Sequence, residues 1–234
     1  MAPVQLFSIE LSGGEPTDLT HNGSDSYSSP RFSPDGTVLL VKMEKGGDGM
    51  AYHRARVAAF PWPMRRSDRR VLTEALDLTV DRFAVSPDHT VFFTAEAAGH
   101  VRLYSVALEG GQVRDCNLPA WGCLTGLAMG GATLVADYDN ALRPAEVVRI
   151  DPVRLTLRPL TDFNEARIAT LELPSIESFT FTSARGRTIQ SFLVRPPRFD
   201  PKARYPLLVL LHGGPASMWR DSWGLRWNLS LIHI

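Results

Sequence analysis

The sequence predicts a mainly β chain, and three observations carry the prediction. First, one phrase, a tight turn running into an apolar β-branched strand, recurs. It reads Phe32-Ser-Pro-Asp-Gly-Thr-Val-Leu-Leu-Val, then Val85-Ser-Pro-Asp-His-Thr-Val-Phe-Phe-Thr, then a weaker Met129-Gly-Gly-Ala-Thr-Leu-Val-Ala-Asp-Tyr. Second, the copies keep their distance: 53 positions from Ser33 to Ser86 and 43 from Ser86 to Met129. Third, after Pro174 the pattern changes to two alternating runs and then to an apolar run with no alternation. Pro-Asp, Asp-Gly and Gly-Gly supply the backbone conformations of a sharp reversal. The spacing suits a four-stranded blade with loops of varying length, which makes residues 1–164 a partial β-propeller of about three to four blades. An irregular β-sandwich would explain the strands but not the repetition.

The remaining strands fill the blades in order. Gln5-Leu-Phe-Ser-Ile-Glu-Leu runs to the turn Ser12-Gly-Gly-Glu, and Val101-Arg-Leu-Tyr-Ser-Val-Ala-Leu to Glu109-Gly-Gly-Gln. Glu146-Val-Val-Arg-Ile ends at Asp151-Pro. Each reads as an outward strand closed by a hairpin, with Leu19-Thr20 and Leu160-Thr161 starting the link to a next blade. A propeller ring holds about 4–8 blades, so the ring is not expected to close within this sequence. Residues 165–174 read as a linker, with a short helical turn within 163–167. Glu177-Ser-Phe-Thr-Phe-Thr and Thr188-Ile-Gln-Ser-Phe-Leu-Val alternate on either side of the turn Ser183-Ala-Arg-Gly-Arg, which predicts an antiparallel hairpin. Pro196-Pro197 and Pro201 mark an extended loop. Leu207-Leu-Val-Leu-Leu211 is expected to be a strand buried on both faces, so 175–228 reads as the first strands of an α/β domain.

Bulk properties exclude several classes. The chain has 234 residues, 44% hydrophobic and 21% charged, with 25 basic and 25 acidic side chains and hence no net charge. Nothing in that balance attracts nucleic acid or an anionic membrane. No apolar stretch approaches a membrane span, and no secretory leader is visible, leaving a cytoplasmic or periplasmic location open. Cys116 and Cys123 are read as reduced, packed thiols rather than a bridge, although a turn over 117–122 would allow one. The six histidines show no metal-ligand spacing, so no metal is expected. Arg65, Arg66, Arg69 and Arg70 around Ser67-Asp68 read as a solvated loop.

Several phrases together resemble the prolyl oligopeptidase family of serine peptidases, and within it the bacterial dipeptidyl aminopeptidase/acylaminoacyl peptidase branch. They are the Ser-Pro-Asp turns, Glu177-Ser-Phe-Thr-Phe, Tyr205-Pro-Leu-Leu-Val-Leu-Leu-His-Gly-Gly-Pro and Asp221-Ser-Trp-Gly-Leu-Arg-Trp-Asn. Asn140-Ala-Leu-Arg-Pro-Ala-Glu-Val resembles that branch's last-blade motif. The resemblance runs from Leu6 to Asn228, and its specific part is 205–228. It implies a propeller capping an α/β-hydrolase domain, short peptides as substrate, and an acyl-enzyme formed on a serine. It implies no cofactor, and it leaves the oligomeric state unknown.

Residue roles follow from the resemblance. The Gly214 backbone N–H is implied as a donor to the tetrahedral oxyanion, a contact typically worth about 2.7–4 kcal/mol in the transition state. His212, Gly213 and Pro215 support the turn; His212 is not the base, because the hydrolase order places the base last. Trp219 and Trp223, with Trp227, sit at four-residue spacing and would share one helix face; they and Arg226 are candidates for the substrate cavity, or pack against the sheet. Asp221 and Arg226 are read as an internal ion pair before a peptide-terminus site. The family's nucleophile sits in Gly-x-Ser-x-Gly, which does not occur here. The catalytic triad is therefore expected beyond this chain, which reads as an inactive fragment. Leu229-Ser-Leu-Ile-His-Ile234 resembles translated adapter sequence and is read as a non-native tail. A binding propeller without catalysis is the rival reading, and an esterase sharing the glycine turn a second.

Overall fold

The computed structural model describes residues 3–21, 23–47, 53–118, 122–214 and 217–224. Strands β1 (Phe7–Ser8) and β2 (Thr17–Asp18) form a small antiparallel pair. The first full blade follows: β3 (Ser26–Phe32), β4 (Val38–Glu44), β5 (Arg56–Pro61) and β6 (Arg70–Val71), each antiparallel to the next. The second blade is β7 (Val80–Val85), β8 (Thr90–Ala97), β9 (His100–Ala107) and β10 (Arg114–Asp115). The link strand β11 (Cys123–Leu124) pairs in parallel with β9 and antiparallel with β13, stitching the second blade to the third. That third blade is β12 (Ala128–Gly130), β13 (Thr133–Asn140), β14 (Arg143–Asp151) and β15 (Thr156–Pro159). The helical turn α1 (Glu165–Ile168) and the hairpin β16 (Ser175–Thr182) with β17 (Thr188–Arg195) complete the described elements. The protein is thus mainly β, built of propeller blades.

Each recurring phrase enters its blade through the same turn chemistry. Ser33 N–H donates to the Val38 carbonyl (2.8 Å), and Val38 N–H donates back to Ser33 Oγ (3.0 Å). Ser33 Oγ–H then donates to Asp35 (2.5 Å), which also accepts from Thr37 N–H (3.1 Å). In the second copy Ser86 N–H donates to Thr90 O (2.9 Å), Thr90 N–H donates to Ser86 Oγ (3.1 Å), and Ser86 Oγ–H donates to Asp88. The turn needs one residue at positive φ: Gly36 (+73°) in the first copy, His89 (+61°) in the second. These donated hydrogen bonds, Ser33's foremost, hold the Asp35 carboxyl down at about 2.

The blades stack through their faces, because successive strand residues point to opposite sides. Leu39, Val41 and Met43 of β4 join Leu6, Tyr27, Ala58 and Phe60 in a core on one side of the first blade. Leu40 points the other way, into a second core with Val57, Val91, Phe93, Tyr104 and Val106 between blades one and two. A third core, including Phe92, Leu103, Leu134, Val148 and Ile150, lies between blades two and three. Large side chains such as Phe93 and Leu40 are fully enclosed. Each such burial contributes about 1.5–3 kcal/mol.

Three expectations are corrected here. The strand expected over Gln5–Leu11 shrinks to Phe7–Ser8, because its only ladder partner is the equally short β2. Leu207–Leu211 is not a buried strand: no strand of the described chain pairs with it, and Leu207 (79% exposed) and Leu211 (87%) face solvent. The arginine cluster is not simply a solvated loop. Arg69 pairs with Asp25 (2.5 Å) and Tyr27 Oη (2.9 Å), Arg66 donates to the Thr20 carbonyl (3.4 Å), and Arg70 to the Glu109 carbonyl (3.3 Å). Cys116 and Cys123 are both buried free thiols, as expected. The helical turn within 163–167 also forms, and Glu146 ties its start to β14 by accepting from Thr161 Oγ1 (2.5 Å) and Asn164 N–H (2.8 Å).

Candidate functional site

The three recurring turns gather at one end of the blades. Phe32 and Pro34, Val85 and Pro87, and Met129 and Gly131 line an open groove of about 500 Å³ there. The opposite ends of the strands carry the turns at Ala98–Gly99 and Ala141–Leu142. The later part of the chain docks on that second face.

Two glycines permit the approach. Gly99 (φ +83°) lies directly under the Phe192 ring of β17, so that a Cβ at this position would collide with the ring. Phe192 also stands edge-on to His100, with ring centroids 6.2 Å apart. Gly122 (φ +116°) lies against the Asp139 carbonyl, where a Cβ would again collide. Its N–H donates to His100 Nδ1 (3.2 Å). In a neutral ring this contact leaves the proton on Nε2. Burial, helped by Arg102, lowers the His100 pKa against the opposing pull of Asp221.

The segment 218–223 is stitched to these turns. Gly99 N–H donates to Met218 Sδ (3.1 Å), and Asp221 N–H donates to the Gly99 carbonyl (2.7 Å). Ala141 N–H donates to Asp221 Oδ1 (2.9 Å), and Trp223 N–H to Asp139 Oδ2 (2.9 Å). The Cys123 thiol donates to the Asp221 carbonyl (3.3 Å). Arg220 pairs with Glu96 (3.3 Å). Asp139 is 6% exposed, and its Oδ1 is buried without a hydrogen-bond partner among the described residues. Burial raises the Asp139 pKa, opposed by the Trp223 N–H. Burial likewise pushes the Cys123 thiol up to about 12, so it is not a ready nucleophile.

The residues singled out from sequence fall as follows. His212, Gly213 and Gly214 form an exposed turn, with Gly214 at φ +137° and no neighbour near the position of a Gly213 Cβ. His212 Nδ1 lies 3.3 Å from the Gly213 carbonyl. Pro215, Arg226 and Trp227 lie outside the described residues. Trp219 and Trp223 do not share a helix face, because 217–224 is irregular; Asp221 and Trp223 spend their amides on blade partners instead of a helical ladder. Asp221 Oδ2 lies 3.9 Å from His100 Nδ1, which already accepts from the Gly122 N–H. His100, Asp139 and Gly122 were not singled out by sequence. Their only signal was position, each lying at or beside the end of a blade strand.

The fold defines a class, chains built of β-propeller blades, and the comparisons with known proteins agree with that architecture. No protein-family model matches the chain. Dipeptidyl-peptidase 5 of Porphyromonas gingivalis is 25% identical over 231 residues, covering 97% of this chain and 33% of the relative. A solved acylaminoacyl peptidase bound to a chloromethyl ketone superposes with a TM-score of 0.72 at 21% identity, covering 92% of this chain and 32% of that one. The β-propeller domain of the Trilobed protease from Pyrococcus furiosus, described as having an open velcro topology, superposes at 0.52 with 18% identity over 71% of this chain and 46% of that one. The chain is thus similar in sequence to dipeptidyl-peptidases 5 and in fold to acylaminoacyl peptidases, and it spans about a third of the length of the curated relatives it matches.

Proposed function

We propose that the chain is the part of a serine peptidase in which propeller and catalytic domain meet, 1–164 serving as propeller, 165–174 as linker and 175–228 as the start of the hydrolase domain. The whole protein hydrolyses short peptides, of dipeptidyl- or acylaminoacyl-peptidase type. Its serine, supplied outside this sequence with its acid and base, attacks the scissile carbonyl and forms an acyl-enzyme that water resolves. The Gly214 N–H helps hold the oxyanion, with His212, Gly213 and Pro215 shaping the turn. Trp219, Trp223 and Arg226 face the substrate, and the propeller limits its size. The observation that carries this reading is the glycine turn lying only a few residues before a segment seated on one propeller face, in a chain whose relatives are peptidases. A propeller that only binds peptides would use the open groove at the other end, but it has no need of the turn.

Sequencing the source DNA past the Asn228 codon tests the proposal. A continuing frame with Gly-x-Ser-x-Gly, then Asp, then His, is expected. A frame that lacks this order transfers the chain to the binding reading.

A further inference from the structure

Asp221 is the one residue of the docked segment whose backbone and side chain are both taken up by the blades. Its N–H donates to Gly99, its carbonyl accepts from Cys123, its Oδ1 accepts from Ala141, and its Oδ2 faces His100. These partners come from three separate places: the β8–β9 turn, the link strand β11 and the β13–β14 turn. The backbone meets Gly99 and Cys123 and the carboxylate meets Ala141, so one residue is tied to three separate pieces of the blades. Trp223, two residues on, adds a fourth anchor, its N–H donating to Asp139. The side chain of Asp221 is only 13% exposed. The carboxylate, largely shielded from water, is held by the directed Ala141 N–H, which fixes its position.

We propose that Asp221 is a positioning residue: it sets where the glycine turn at 212–214, seven residues earlier in the chain, stands relative to the propeller. This rests on the peptidase reading of that turn. An oxyanion donor displaced by about 1 Å can cost on the order of 10²-fold in rate, so a turn that follows an irregular, exposed run needs an external reference. The blade turns supply it, and Asp221 reads it. The residue acts through the segment and touches no reacting atom.

The test has two arms. In the 234-residue chain, amide hydrogen exchange is measured for wild type, Asp221→Ala and Asp221→Asn. Asn keeps an oxygen that accepts from Ala141 N–H, whereas Ala removes it. Exchange at Ala141 and Trp223 is expected to rise about tenfold or more in Asp221→Ala, corresponding to about 1.4 kcal/mol, and to stay near wild type in Asp221→Asn. Unchanged exchange in both variants overturns the proposal. In the full-length product of the source gene, Asp221→Ala is expected to lower kcat about 10²-fold with KM little changed, and Asn to restore most of it. Raised exchange with unaltered kcat makes Asp221 a structural anchor only and also overturns it. A wild-type product with no hydrolytic activity overturns both the peptidase reading and the positioning role, and leaves the exchange arm to report the anchor alone.

Discussion

At the residue scale, the stability of the N-terminal end turns on one buried ion pair. Burial alone would push the Asp25 carboxyl up. The hydrogen bond from Arg69, the Gly46 N–H and the charges of Arg69 and Arg66 outweigh it and leave the pKa lowered. A carboxyl whose folded pKa is depressed stabilises the fold above its unfolded value of 3.8 and loses that contribution as pH falls through the folded value. Arg69→Met leaves Asp25 and Tyr27 without their shared donor. It is expected to cost about 1–3 kcal/mol at neutral pH. Urea melts at pH 7 and pH 3 check this: the difference between variant and wild type narrows at the lower pH, and an equal difference at both contradicts it. Sequence alone did not place this pair. Arg69 and Asp25 are 44 positions apart, and a run of arginines around a short loop reads as solvated until the β2–β3 connection, with Thr20 and Asp25, is seen to lie against it.

At the element scale, the blade strands were legible because their signals are local. The Ser-Pro-Asp turn contains its own acceptors, and each copy runs straight into an apolar, β-branched strand, β4 or β8. The hairpin of β16 and β17 was legible for the same reason. Leu207–Leu211 was not, because an apolar run without alternation says only that both faces want cover, and a strand needs a neighbour to supply the ladder. The irregular course of 217–224 was equally hidden: four-residue tryptophan spacing suggests a helix, but the Asp221 and Trp223 amides bond to the blades. How the hairpin meets the propeller depends on Gly99. Gly99→Ala places a Cβ against Phe192 at a φ that side chains rarely adopt, with an expected cost of about 1–3 kcal/mol. In a Phe192→Ala background the collision is gone and only the backbone strain is left. A double-mutant cycle should therefore return a coupling of about 0.5 kcal/mol or more. Strict additivity would show that Phe192 does not rest on this turn.

At the scale of the whole molecule, two cores join the three blades and a third packs on the free side of the first, and no ladder among the described residues joins β15 back to β1 or β3. The hairpin of β16 and β17 pairs only with itself, and Phe179, Phe181 and Leu207–Leu211 are exposed. Unpaired edges beside apolar surface favour association between copies. The 234-residue chain is expected to self-associate at micromolar concentration, as light scattering would show, and a monodisperse monomer with a cooperative melt would contradict this. None of the helices among the described residues is long and apolar enough to cross a membrane. What the sequence carried at this scale was the blade period and the glycine turn; what it could not carry was which propeller face receives the turn's segment, since that depends on contacts from Gly99 to Asp221. The account's central claim is that this turn serves a serine peptidase. The measurement that tests it most directly is hydrolysis of dipeptidyl and N-acyl-aminoacyl nitroanilides by the full-length product of the source gene, together with labelling by a fluorophosphonate. The account predicts amide hydrolysis abolished by labelling of a single serine. Ester cleavage alone, or no labelling and no hydrolysis, would contradict it.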